Sequence, residues 1–405
     1  MTGSKLITLS KHQTTIVVSK FLSPCSSTRI DDLPDDVLLE ILCKLPIKQM
    51  AFCKCVSKLW NIRISNISLR RVESNLVYGL IFNIAVKYPA RGEWGFYDTT
   101  SNRVEYLEVS FLGTALPFDP SPEALLDCYD GLLLYFDRAS MQYYLCNPCT
   151  QQNMAIPNSP GDLIHTMSAV FFDTHYKIVN MGGEPAIMNI FSLATREWSV
   201  HNLDEDLFTT GRDWSPHYIF LHGSIYRLCV GQYVLKVELN PVCCRRIELP
   251  DIARRCIPCG CLGVSKGVLH YGRDDLQTMM VWILESGTDG TIEWVLKYTI
   301  GFDYFKNHPA SRIICGFLCL QVIAFHPTAD KMIIGNTKGI FLYDPATREL
   351  ELIFVLCKRR SFYSHERHVY LFSPNITCLE ALCQKNSEFA HRLREVRDEM
   401  SYEEA

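Results

Sequence analysis

The chain has 405 residues, 48% hydrophobic and 21% charged, which excludes a disordered, fibrous or disulfide-stapled miniature protein and leaves a globular one able to bury a core. Forty Lys and Arg against 44 Asp and Glu give a formal charge of -4, too balanced for nucleic acid or an anionic membrane to be the evident partner. No apolar run approaches the roughly 18 residues of a membrane helix; the longest candidate, Gly316 to Phe325, is short and contains Gln321.

Residues 1–29 carry Lys5, Lys11, Lys20 and Arg29, many Ser and Thr, and no acid before Asp31. They read as a disordered leader with a faint likeness to an organellar transit segment, while Ile16, Val17 and Val18 are too short for a secretory apolar region. Without a secretory signal, the 18 cysteines read as reduced thiols buried as small hydrophobes. Cys256, Cys259 and Cys261 with His270 come nearest to a zinc ligand set, but no Cys pair has a second pair at zinc spacing, so no metal and no cofactor are expected.

Residues 30–72 have helical periodicity. Asp31 or Asp32 caps a helix whose first turn holds Pro34, Asp35 and Asp36, where proline is tolerated and carboxylates face the positive end of the dipole. Val37, Leu38, Ile41, Leu42 and Leu45 form one apolar stripe, and Pro46 ends it. A second helix over about Ile47 to Lys54 and a third capped by Ser57, with Leu59, Trp60, Ile62 and Ile64, complete a small all-α unit. Some 40 residues bury too little apolar surface to stand alone, which implies a partner over part of the stripe.

The run Asp32-Leu33-Pro34-Asp35-Asp36-Val37-Leu38-Leu39-Glu40-Ile41-Leu42, then Leu45-Pro46, then Phe52-Cys53-Lys54-Cys55-Val56-Ser57-Lys58-Leu59-Trp60, resembles an F-box. That resemblance implies docking on a Skp adaptor, and through it on cullin and RING subunits of a ubiquitin ligase. It carries Leu33, Pro34, Val37, Ile41, Leu42, Leu45, Pro46, Val56, Ser57, Lys58 and Trp60 over as adaptor-facing or motif-core positions. Met50 stands where the family more often has leucine, a volume-conserving change.

From residue 73 to about 384 the pattern changes to short Val-, Ile-, Tyr-, Phe- and Leu-rich runs separated by Gly, Pro, Asn and Asp turns. One unit recurs: an apolar strand, a polar anchor, a turn, and a second strand. The anchors Asp98, Asn147, Ser192, Asn240, Glu285 and Asp344 lie 49, 45, 48, 45 and 59 residues apart, and Ala-Thr-Arg-Glu occurs identically at 194–197 and 346–349. This spacing is that of four-stranded propeller blades, about 40 to 50 residues each. The expected fold is therefore a three-helix N-terminal domain followed by an all-β propeller of about six blades, with seven also compatible. An insertion around Phe302 to Arg312 absorbs the longest interval, and Val369 to Phe372 or Cys378 to Leu382 pairs with the first unit to close the ring.

Asp130-Gly131-Leu132-Leu133-Leu134 with Cys146-Asn147-Pro148-Cys149-Thr150, Val281-Trp282-Ile283-Leu284-Glu285 with Glu293-Trp294, and Leu342-Tyr343-Asp344 with Thr347 resemble the F-box-associated, kelch-like region of plant F-box proteins. Gly182-Gly183 does not recur in the other units, so the kelch likeness is partial.

No nucleophile elbow, dinucleotide or Walker loop, or His-Glu-x-x-His helix appears, which argues against an enzyme; His326-Pro327 reads as a turn at a strand end. Target recognition is expected on the longer loops, at Trp214, at Tyr304 and Phe305, and at Arg359, Arg360 and Tyr363, because exposed aromatics and arginines make hot spots. Residues 385–405 read as a weak helix ending in acids. The sequence thus reads as the substrate receptor of a Skp/cullin/F-box ligase in nucleus or cytosol, acting without membrane or nucleic acid on an unknown protein. The alternative is a propeller scaffold sensing a small molecule or glycan in its central channel.

Overall fold

In the computed structural model, the described residues are 37, 79–86, 91–98, 103–107, 116–118, 120, 124–148, 150–161, 168–182, 186–203, 214–229, 233–250, 260–274, 277–286, 291–306, 320–336, 339–355, 360–362 and 369–372. The chain divides into two compact units, Met1–Lys44 and Leu45–Ala405. In the first, Val37 is helical and 44% exposed. The rest of the three helices expected over 30–72, the leader and the 385–405 tail lie outside the described residues.

The second unit is a β-propeller. Sheet A begins with β1 (Gly79–Val86), β2 (Arg91–Asp98) and β3 (Arg103–Leu107); sheet B is β4 (Leu125–Tyr129), β5 (Leu132–Asp137), β6 (Gln142–Asn147) and β7 (Gln152–Ile156). Sheet C is β8 (Ser168–Phe172), β9 (Tyr176–Gly182), β10 (Ile187–Ser192) and β11 (Glu197–Asn202). Sheet D is β12 (Trp214–Leu221), β13 (Ser224–Cys229), β14 (Tyr233–Leu239) and β15 (Val242–Glu248). Sheet E is β16 (Cys261–Ser265), β17 (Val268–Asp274), β18 (Thr278–Ser286) and β19 (Ile292–Gly301), followed by the one-turn helix α1 (Asp303–Lys306). Sheet F is β20 (Gln321–Phe325), β21 (Met332–Gly335), β22 (Gly339–Asp344) and β23 (Glu349–Val355). Finally β24 (Arg360–Phe362) and β25 (Val369–Phe372) return to pair with β1, making sheet A five-stranded.

Sheets B to F are antiparallel four-stranded meanders in chain order. Their first strands touch in succession, and β25 touches β4, so these strands ring a common axis. Each junction between neighbouring sheets is filled by its own apolar cluster. Leu134, Tyr143 and Phe191 lie between B and C, and Val179, Met188 and Leu235 between C and D. Tyr226, Leu269 and Trp282 join D to E, and Met279, Phe305 and Phe341 join E to F. Leu80, Phe82 and Ile340 join A to F, while Ile81, Tyr135 and Tyr370 join A to B. Both faces of a sheet are buried in this way, which explains strands such as Ser168-Ala-Val-Phe-Phe172 with no exposed alternation.

The polar anchors end the third strand of every sheet: Asp98, Asn147, Ser192 and Asp344 are the last residues of β2, β6, β10 and β22, Asn240 follows β14, and Glu285 is the penultimate residue of β18. Their chemistry is turn capping. The Ser192 hydroxyl accepts the Thr195 N–H at 3.1 Å, and the Asp344 carboxylate accepts the Ala346 and Thr347 N–H groups at 2.9 and 3.3 Å. The Asn147 side chain accepts the Thr150 N–H at 3.4 Å. Four residues beyond each of these anchors, Gln151, Arg196 and Arg348 take positive φ of 55°, 59° and 59°. The repeated Ala-Thr-Arg-Glu is therefore one turn used twice. The first hairpins of sheets B, D and E instead use Asp130-Gly131, His222-Gly223 and Lys266-Gly267, both residues at positive φ, as the two-residue turn matching strand twist requires.

The apolar run Ala169 to Val179 is split between two strands, β8 and β9, because the polar Asp173-Thr174-His175 turn divides it, with Lys177 bound to Asp173 at 2.9 Å. Of the two closing segments, Val369–Phe372 pairs antiparallel with β1, Phe82 opposite Val369 and Gly79 opposite Phe372. The Tyr370 hydroxyl then reaches sheet B, donating to the Leu125 and Leu126 carbonyls at 3.2 and 3.3 Å.

Tyr370 should be the sensitive point of this seam. In equilibrium denaturant unfolding, Tyr370→Phe should lose about 1 kcal/mol, the worth of its hydrogen bonds. Tyr370→Ala should lose about 3–5 kcal/mol through the cavity it leaves between sheets A and B.

Candidate functional site

The polar side chains gathered at the axis come from irregular strands. In β4 the register shifts between Leu125 and Asp127, leaving Leu126 outside the ladder, and such bulges re-aim side chains. The Asp127 carboxylate accepts the Val170 N–H of β8 at 2.8 Å, tying the first strands of sheets B and C together. Burial deep in the ring pushes its carboxyl up to about 7 against the lowering effect of the Val170 and Cys128 N–H groups. Asp127 is half-buried by its accessible surface, and solvent contact works against that rise.

In β12, Pro216 supplies no N–H and the register breaks between Trp214 and Tyr218. The Arg227 guanidinium, 2% exposed, lies 5.0 Å from the Trp214 ring centre and 4.8 Å from that of Tyr218, and its Nε donates to the Ser215 carbonyl at 3.3 Å. Burial lowers the Arg227 pKa, opposed by Tyr218 and Cys229. The Tyr218 hydroxyl is raised by burial, with Arg227 acting downward and Tyr143 and Asp127 upward. His217 stacks edge-on to Tyr370 with centres 5.5 Å apart, joining sheets D and A from opposite sides of the ring.

The target-facing candidates do not come together. Trp214 opens β12, half-buried on the cluster between sheets C and D and edge-on to Tyr233 at 5.9 Å, with Arg246 over the Tyr233 ring at 4.2 Å. Tyr304 on α1 is 36% exposed and donates its hydroxyl to the Arg348 carbonyl in the outer hairpin of sheet F. Phe305 beside it is 1% exposed, packed edge-on against Tyr343 at 5.4 Å, so its ring belongs to the core between E and F and is not offered to a partner. Alternation within the helical turn explains the split: of two adjacent aromatics, one faces in and one out. Arg360 sits on β24 opposite Val86 rather than in a loop, because β24 continues the closing pairing with β1. Arg359 and Tyr363 lie outside the described residues.

Of the adaptor-facing set, Val37 is described, helical and exposed. Leu33, Pro34, Ile41, Leu42, Leu45, Pro46, Val56, Ser57, Lys58 and Trp60 lie outside the described residues. Of the nearest zinc set, Cys256 and Cys259 also lie outside. The Cys261 thiol donates to the Ile323 carbonyl at 3.1 Å and is pushed up to about 12 by burial, while His270 Nδ1 donates to the Val268 carbonyl at 2.9 Å. His326 accepts the Thr328 and Ala329 N–H groups at 3.3 and 3.0 Å, a turn cap.

Residues 30–71 match the F-box domain family. The chain carries an F-box. Its relatives are F-box proteins of Arabidopsis thaliana: one 25% identical over 48% of this chain and 51% of its own length, another 30% identical over 31% of this chain and 34% of its own. An Arabidopsis F-box/kelch-repeat protein is 23% identical over 70% of this chain and 75% of its own length. The chain thus spans about half or less of the first two relatives. Among solved structures, one from a nidogen/laminin complex aligns at a TM-score of 0.39 and 11% identity, over 72% of this chain and 96% of that one.

Sequence pattern missed the joint between sheets E and F. Lys297 Nζ and the Tyr298 hydroxyl, on β19, hold the Asp330 carboxylate at 2.8 and 2.7 Å. Burial raises Asp330, but the bonds from Lys297 and Tyr298 and the Lys297 charge outweigh it, so its pKa is lowered. A lowered carboxylate stabilises above its unfolded pKa and loses that contribution as pH falls through its folded one. Asp330→Asn should therefore cost about 1 kcal/mol at neutral pH, with the difference from wild type vanishing well below about pH 4 in urea unfolding.

Proposed function

We propose that the chain is the substrate-recognition subunit of a Skp/cullin/F-box ubiquitin ligase, its F-box holding the Skp adaptor and its propeller holding a protein target. The match of residues 30–71 to the F-box domain is the observation that carries this reading. An F-box of this kind serves by position: it raises the effective concentration of target lysines near the ubiquitin thioester and performs no bond chemistry itself. The receptor is then non-catalytic, and its place is the nucleus or cytosol.

In this reading sheet A is the sixth blade, closing the ring that the 45- to 59-residue anchor spacing implies. The connections into β8, β12, β16 and β20 all approach from the end of the axis opposite the Asp130-Gly131, His222-Gly223 and Lys266-Gly267 turns. That end carries the 203–213 and 302–320 connections and is where the target docks, because long loops on a rigid scaffold carry binding. Trp214 opens the strand after the first of these connections, Tyr304 lies within the second, and Arg360 on β24 follows sheet F toward the same end. The alternative, a glycan or small molecule threaded through the channel, is weakened by the His217 and Tyr370 rings meeting across the axis.

Purified chain and a Skp adaptor test the reading by titration calorimetry. Wild type should bind at micromolar concentration or tighter, and a Leu33→Ala, Pro34→Ala double variant with an unchanged circular-dichroism spectrum should bind at least about 10-fold more weakly, the loss of roughly 1.4 kcal/mol. Folded wild type that shows no binding would overturn it.

A further inference from the structure

We propose that a water molecule is bound inside the junction between sheets B and C, held by the side-chain amides of Asn180 and Asn189. Strand alternation brings those amides together. On β9, Tyr176 and Ile178 face sheet B while Val179 and Met181 face sheet D, so Asn180, two residues beyond Ile178, points toward sheet B. On β10, Phe191 faces sheet B, and so does Asn189 two residues before it. Ser168 opens β8 on the same face, two residues before Val170. The register sets Asn180 opposite Ser168 on one side and opposite Asn189 on the other. One polar row thus crosses three strands at the end where β7 leaves sheet B and β8 enters sheet C. The next row on that face, Val170, Ile178 and Phe191, is apolar.

The row is sealed from solvent: Asn180 and Asn189 are both 0% exposed. Protein groups supply part of its bonding. The Ser168 hydroxyl donates to the Tyr143 hydroxyl of sheet B at 3.3 Å. Asn189 Nδ2 commits its two protons to the connection out of β7, reaching Ser159 Oγ at 2.6 Å and the Pro160 carbonyl at 2.8 Å. Three buried atoms of the row have no partner among the described residues: Asn180 Nδ2, Asn180 Oδ1 and Asn189 Oδ1. A buried amide left unbonded is costly, and protein interiors meet that need with water, one molecule making about three hydrogen bonds.

Here one molecule closes the count. Side chains directly opposite on paired strands have Cβ atoms about 4.5–5.5 Å apart, a gap that two hydrogen bonds of about 2.8 Å through a shared water can span. The water accepts from Asn180 Nδ2 and donates to Asn189 Oδ1 and Asn180 Oδ1. Interchanging the oxygen and nitrogen of Asn180 leaves the count the same. The bordering groups, Tyr143, Ser159, Pro160, Ser168 and the two amides, carry no formal charge, which selects a neutral molecule over an ion. Once bound, the water fixes which end of the Asn189 amide faces Ser159 and Pro160, and so pins the start of the connection between the two sheets. The site stands on sheet packing alone and is independent of what the propeller binds.

A high-resolution crystal structure of the 405-residue chain tests the assignment. Wild type should show a water at about 2.7–3.2 Å from Asn180 Nδ2 and from Asn189 Oδ1. Asn180→Val, which removes both amide atoms and keeps a shape suited to a strand, should lose that water. Should the variant fail to fold, wild type labelled with nitrogen-15 asparagine gives the answer in solution. The Asn180 side-chain protons should then show nuclear cross-relaxation with a water that tumbles with the protein. A direct bond between the two amides with no water touching them, a water that persists in the Val variant, or Asn180 protons without cross-relaxation to water would overturn the proposal. So would an occupant at about 2.3–2.6 Å from the amide oxygens, the spacing of a bound cation.

Discussion

The structure depends on one constraint: each sheet has two apolar faces, and neither can be left wet. A single sheet with Leu132, Leu133, Leu134 and Tyr135 in sequence, all fully buried, has no solvent face at all. It needs a neighbour on each side, as does each neighbour, and the arrangement ends only when the last sheet meets the first. Sheet A performs that closure, giving Leu80 and Phe82 to sheet F and Ile81 and Tyr370 to sheet B. Close contact at the junctions is helped where side chains are absent: a Cβ at Gly272 would sit 2.9 Å from Val322 of the next sheet.

Polar groups are placed where this constraint relaxes. Sheet junctions are apolar through their middle, and the ionisable contacts fall at their inner and outer margins: Asp127 with Val170 on the axis, and Lys297 and Tyr298 with Asp330 farther out. At the inner margin burial raises the Asp127 carboxyl against two backbone N–H groups; at the outer one Lys297 and Tyr298 hold the Asp330 carboxyl below its ordinary value.

Much of this was legible in the sequence because turn chemistry is local. Asn147, Ser192 and Asp344 announce their hairpins through side chains that cap their own backbone, and their spacing counts the sheets without knowledge of any long-range contact. The F-box was legible for the same reason, as a short run with fixed order. What escaped depends on which way a residue faces once strands are assembled. Phe305 and Tyr304 are indistinguishable in sequence, and only the packing against Tyr343 separates core from surface. Asp127 and Arg227 each stand alone among apolar neighbours, Leu125-Leu126-Asp127-Cys128-Tyr129 and Ile225-Tyr226-Arg227-Leu228-Cys229, and a lone charge in such a run was the signal available for the axis. Nothing in either run says that the two belong to one neighbourhood.

The pairing of β1 with β25 also bears on association between chains. Phe82 and Val369 are among the most widely separated partners in the chain, whereas every described ladder other than those of β1 with β24 and β25 joins strands that follow one another. Meanders such as sheets B to F form from nearby residues, and closing a loop as long as the whole ring comes at the greatest entropic cost. The seam is thus the costliest contact of the ring to close, and with β25 undocked the cluster of Ile81, Leu133 and Tyr135 lacks the Tyr370 ring that completes it. An apolar cluster with one side missing is a surface to which another chain can stick, so whatever holds β25 in place also guards the protein against its own kind.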